Sequence, residues 1–94
     1  MKLTQSQKIK LHHILKRHDV KRAEVFGSFA RGDATAQSDL DILIDFKGRK
    51  SLFDLAGLKL DLEDQFGRSV DVVTYRSVNP RLKPFIMKHR LLVV

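Results

Sequence analysis

The chain has 94 residues, 43% of them hydrophobic, enough for one modest core and too few for a catalytic domain joined to a separate substrate domain. Lysine and arginine outnumber aspartate and glutamate 18 to 11, and the net charge of +7 favours anionic ligands or partners. Cysteine is absent, which excludes disulfide staples and thiolate metal sites; no apolar run is long enough to span a bilayer and no apolar signal core follows Met1, so the expected location is the cytoplasm.

Thr4 and Gln7 make a capping-box pattern at the head of a helix predicted from Gln5 to His18, with Leu11, Ile14, Leu15 and His18 gathered at helical spacing. Lys8, Lys10, Lys16, Arg17, Lys21 and Arg22 crowd this first quarter. Their charge suits nucleic acid, an acidic protein, a triphosphate or plain solvent, and because no aromatic side chains are interleaved, direct nucleic-acid binding is not the favoured reading. His12, His13 and His89 stand at no clear metal-ligand spacing and read as surface residues.

A strand is predicted from Ala23 to Phe26, giving way at Gly27-Ser28 to a short helical turn that begins near Phe29. A glycine there lets the backbone approach a ligand, N–H groups at a helix start attract phosphate, and Ser28 adds a hydroxyl donor. Arg31, one turn on, either reaches the same phosphate oxygens or pairs with a neighbouring carboxylate to hold the loop. Ser28 is a poor hydrolytic nucleophile, because it lacks the flanking glycine of a Gly-x-Ser-x-Gly elbow and no histidine or acid is placed to complete a triad.

After a polar loop from Gly32 to Gln37, residues Leu40 to Phe46 alternate apolar and polar side chains as a strand with one buried face does. Asp39 and Asp41 therefore point the same way, with Cα atoms roughly 7 Å apart, and their mutual repulsion calls for a cation. Mg²⁺ suits them: it is a hard ion commonly held by one or two carboxylates together with substrate phosphates. No Gly-x4-Gly-Lys-Ser/Thr loop is present to suggest a different phosphate chemistry.

Lys47 to Lys50 form a basic turn. Ser51 and Asp54 then open a helix predicted to run to about Phe66, with Leu55, Leu58, Leu62 and Phe66 as its core stripe and Gly67 as its stop. Ser69 to Thr74 read as a second strand with Val70 and Val72 on one face and Asp71 on the other. Strand, helix and strand together make a crossover whose two strands should lie parallel, bringing Asp71 near Asp41. Three carboxylates at one point suit nucleotidyl transfer: two bridge metal to triphosphate, while the third takes the proton of the attacking hydroxyl or holds a second metal. Asn79-Pro80 reads as a helix start, although Pro84 requires that helix to begin near Lys83 or to kink there, and a short strand can follow from Leu91.

The combination of Gly27-Ser28, Asp39-x-Asp41 and Asp71 resembles the minimal nucleotidyltransferase family of the DNA polymerase beta-like superfamily, and the likeness covers almost the whole chain. It implies a single domain over residues 1–94 with an α/β (α+β) fold: a mixed sheet of three to four strands, with helices mainly on one face and the site on the other. By the same resemblance Asp39 and Asp41 bind Mg²⁺, Asp71 completes the metal and catalytic set, Gly27 and Ser28 hold the nucleotide phosphates, and ATP is the donor. Ser51 to Leu55, Val70 to Thr74 and the tail are similar to small prokaryotic members that accompany HEPN-domain proteins. That likeness implies a type VII toxin–antitoxin pair in which this protein transfers AMP to a tyrosine of a HEPN ribonuclease toxin. The alternative is a catalytically weak module that neutralises a HEPN partner by binding it; transfer to a small molecule such as an aminoglycoside is a third reading. With no substrate domain of its own, the chain is expected to work as a homo-oligomer or in a hetero-complex.

Overall fold

Two capped helices and a four-stranded sheet account for most of the fold in the computed structural model, which describes residues 1–94. Helix α1 spans Gln5–Arg17 and α3 spans Leu52–Phe66; between them lie β1 (Val20–Phe26), the one-turn helix α2 (Ser28–Arg31) and β2 (Leu40–Phe46). Strand β3 (Val70–Thr74), a 3-10 turn (Tyr75–Ser77), α4 (Lys83–Lys88) and β4 (Leu91–Leu92) complete the chain.

Both long helices start where their side chains satisfy otherwise unpaired amides. Thr4 accepts from the Gln7 amide while the Gln7 side chain accepts from the Thr4 amide, and Ser51 and Asp54 repeat the arrangement at α3. Gly67 ends α3 in the left-handed conformation at φ 61°, which glycine adopts without a Cβ penalty.

The sheet has the order β3-β2-β1-β4, with β2 and β3 parallel and the other two pairings antiparallel. One face carries Ala23, Val25, Ile42, Ile44 and Val70 into a core completed by Leu11, Ile14 and Leu15 of α1 and Leu58 and Leu62 of α3. Burying each of these leucines contributes roughly 1.5–3 kcal/mol. The helices α1 and α3 thus cover one face, as the predicted fold requires, and the sheet's other face presents Asp41, Leu43 and Glu24. Leu55 and Phe66 flank the core half-buried.

One boundary differs from expectation. β1 begins at Val20, three residues early, because a register shift between Val20 and Arg22 breaks the alternation that marks a strand in sequence. Of the two expected arrangements around Asn79-Pro80 and Pro84, the helix that begins near Lys83 is the one formed: the chain turns through residues 79–82, and α4 begins at Lys83, where Pro84 sits in the first turn and needs no amide donor.

Candidate active site

Strand register brings Asp41 directly opposite Asp71 on the parallel neighbour β3 and opposite Phe26 on β1. Neighbouring strands run roughly 4.8 Å apart, so the two carboxylates share one end of the open sheet face. Asp39, just ahead of β2, is exposed on the same approach, while Asp41 is half-buried. Burial pushes the Asp41 carboxyl up to about 6, with the Asp71 and Asp39 charges adding to the rise and Arg31 opposing it.

Phe26 hands the chain to Gly27, whose φ of 70° and ψ of −149° make the sharp exit from β1 into α2. The glycine is required twice over. A Cβ at this position would overlap Oδ2 of Asp41 and lie 3.2 Å from its Cγ, so the turn packs its bare backbone against the carboxylate. Ser28, half-buried, starts α2 beside it, and Phe29 plugs α2 into the core at 5% exposure.

Arg31 pairs with a neighbouring carboxylate, one of its two expected roles: its Nε donates to Asp33 Oδ2 at 3.2 Å, on an exposed surface. Its charge still reaches Asp41. The loop before Asp39 is fastened by a residue that sequence reasoning passed over. Arg68 Nη1 donates to the Ser38 carbonyl at 2.9 Å and the Thr35 carbonyl at 3.4 Å, and its guanidinium stacks 4.8 Å from the Phe29 ring centroid. Arg68 thereby ties α2 to the Asp39 loop, a pairing between residues 30 positions apart that no local motif announces.

Glu24 was also missed. It points to the same open face, opposite Leu43, yet is only 5% exposed. Tyr75 Oη donates to its Oε1 at 2.7 Å, Arg90 Nη1 at 3.2 Å and Arg22 Nη2 at 3.3 Å. Burial, reinforced by the Glu24 carboxylate, pushes the Tyr75 hydroxyl up to about 12. The only sequence signal was an acid set between the apolar residues of a strand, Ala23 and Val25.

No three His, Cys, Asp or Glu side chains stand close enough to hold a metal ion unaided. The donor set fits a hard divalent ion that brings its own water and phosphate ligands: oxygen-only side chains, one of them held up in pKa by burial and then by its like-charged neighbours. The site is an open shelf. A cavity of about 730 Å³ lies instead at the other end of β2 among Lys21, Asp45, Arg49, Lys50, Tyr75 and Arg76. Its lining is mostly basic and holds a single carboxylate, Asp45, whereas Asp39, Asp41 and Asp71 lie at the start of β2 and its neighbour.

Residues 8–93 match the model of the nucleotidyltransferase domain family. A Methanocaldococcus jannaschii protein named for an inferred protein adenylyltransferase activity is 50% identical over 80 residues, covering 85% of this chain and 86% of that protein. A solved minimal nucleotidyltransferase shares 38% identity with a TM-score of 0.78 over 92% of this chain and 88% of the other. The fold is also that of the MNT antitoxin in a complex with a tri-AMPylated HEPN toxin from Shewanella oneidensis, at 18% identity and a TM-score of 0.74, covering 96% and 71% of the two chains.

Proposed function

This chain belongs to the nucleotidyltransferase domain family and is a nucleotidyltransferase, and on that premise we propose that it is an antitoxin that transfers AMP from ATP to a tyrosine hydroxyl of a HEPN-domain toxin. The observation that carries the reading is the Asp41–Asp71 register beside the Gly27 turn, with Asp39 on the same approach. The relative named for protein adenylylation and the fold shared with an MNT antitoxin on an AMPylated toxin support the choice of nucleotide and acceptor.

In this account Asp39 and Asp41 would hold Mg²⁺, with Asp71 completing the set, and the ion would supply positive charge to offset that of the triphosphate and its leaving group. Gly27 lets the backbone come against the phosphates, Ser28 donates to them, and Arg31 adds a positive field from the loop it braces with Asp33. Asp71 is exposed, open to an incoming acceptor, and receives the proton of the attacking tyrosine hydroxyl as the bond to the α-phosphorus forms and pyrophosphate departs. Arg68 acts through the Asp39 loop and is a positioning residue.

The alternative, neutralisation by binding alone, makes the opposite prediction for one variant. Cells expressing the HEPN toxin with the Asp39→Asn/Asp41→Asn double variant should die although the complex still forms; survival at the wild-type level would replace chemistry with occlusion.

A further inference from the structure

After β3 the chain leaves one edge of the sheet, and at β4 it joins the opposite edge, so residues 75–90 span the width of the sheet as a strap. Both ends of the strap are fastened to the same buried carboxylate: Tyr75 Oη and Arg90 Nη1 donate to Glu24 Oε1 at 2.7 and 3.2 Å. Glu24 pairs with Leu43, and Asp41 lies two residues along β2 on the same face, roughly 7 Å away by strand rise. The strap is therefore anchored within one pleat of the catalytic carboxylates.

Between its fasteners the strap is almost unpacked. Helix α4 buries no residue, and Leu82, Phe85 and Met87 are 54%, 77% and 42% exposed. From Arg76 to Val94 the sequence contains Arg76, Arg81, Lys83, Lys88 and Arg90 and not one Asp or Glu. Scattered surface hydrophobes are ordinary, but a leucine, a phenylalanine and a methionine within six residues, on uniformly cationic ground, have the composition of an interface core and rim. A polynucleotide would use the charge and leave the apolar side chains idle. A protein face with acidic groups around apolar sockets uses both.

We infer that the strap is the docking element for the acceptor protein, which presents an acidic surface to α4 and so brings its hydroxyl to the carboxylates. The inference rests on the protein-adenylylation reading and gives that reading a surface that recognises the substrate. Phe85 serves as the apolar anchor, and Arg81 and Lys83 orient the encounter.

The test uses Phe85→Asp and, separately, the charge reversal Arg81→Glu/Lys83→Glu, all at exposed positions whose replacement leaves the core intact. Binding of the HEPN-domain partner is measured by calorimetry, AMP transfer by intact mass, and ATP binding in Mg²⁺ by fluorescence. The expected result is partner affinity and KM-limited transfer weakened at least tenfold in both variants, with ATP affinity unchanged. Wild-type partner affinity in both variants would overturn the inference. If the wild type binds the partner yet transfers no AMP, the adenylylation reading fails while loss of binding in Phe85→Asp still supports the docking face. Wild-type binding of an RNA oligonucleotide or of phosphatidylserine vesicles that Phe85→Asp removes, with partner binding intact, would overturn it in favour of that ligand.

Discussion

At the residue scale the site is a place where stability yields to chemistry. Asp41 is ionised at neutral pH although burial and two neighbouring carboxylates oppose the charge. Its unfolded carboxyl titrates near 3.8 and its folded one near 6, so the folded state binds the proton more tightly. The penalty is absent below the lower value, grows as pH rises between the two, and is fully present above about 6. Full conversion at ~1.4 kcal/mol per unit would overstate it for a half-exposed group, and a cost of about 1 kcal/mol is expected after solvent screening. Asp41→Asn should therefore stabilise the metal-free protein by about 1 kcal/mol at pH 8 and leave it unchanged at pH 3, measured by urea unfolding, while abolishing AMP transfer. Gly27→Ala should do the reverse of a stabilising change: the new Cβ overlaps the Asp41 carboxylate in a backbone conformation of positive φ, and a loss of about 1–3 kcal/mol is expected together with loss of nucleotide binding. Equal ATP affinity in wild type and Gly27→Ala would show that the turn does not meet the phosphates.

At the element scale the two long helices were legible because everything that defines them is local. Thr4 with Gln7 and Ser51 with Asp54 cap their own turns, Gly67 stops its own helix, and the Leu58 and Leu62 stripe follows from spacing alone. Replacing Leu58, fully buried against the sheet, by alanine should cost about 2–5 kcal/mol in chemical denaturation. The neighbourhood of Asp41 and Asp71 was legible too, because the crossover through α3 sets β3 parallel to β2 and brings the two residues into register, with Asp39 one residue ahead of the strand. What stayed hidden depends on elements far apart in the chain. The first residues of β1 were obscured by an irregular register at Lys21 and Arg22, and the Arg68 clamp and the Glu24 hub join residues 30 to 66 positions apart. Arg68→Ala should accordingly lower the transfer rate with little change in ATP affinity, because it frees the Asp39 loop and leaves Gly27 and Ser28 in place.

At the scale of the whole molecule, charge is segregated along β2: carboxylates gather at its start and a basic cavity opens at its end. Within an overall charge of +7 the acidic shelf is an exception that a bound divalent ion would relieve. At pH 8, Mg²⁺ at ten times its dissociation constant should raise stability by about 1.4 kcal/mol. The gain should disappear in Asp39→Asn/Asp41→Asn; an equal gain in that variant would place the metal elsewhere. The residues from Gln5 to Leu92 build one sheet, its helices and the strap, and the proposed acceptor is a hydroxyl of a second protein. The most direct test mixes the protein with the HEPN-domain partner, ATP and Mg²⁺ and records the intact masses of both chains. The account predicts the mass of one or more AMP groups added to the partner, on tyrosine, and none with Asp41→Ala; a partner of unchanged mass in a stable complex would contradict it.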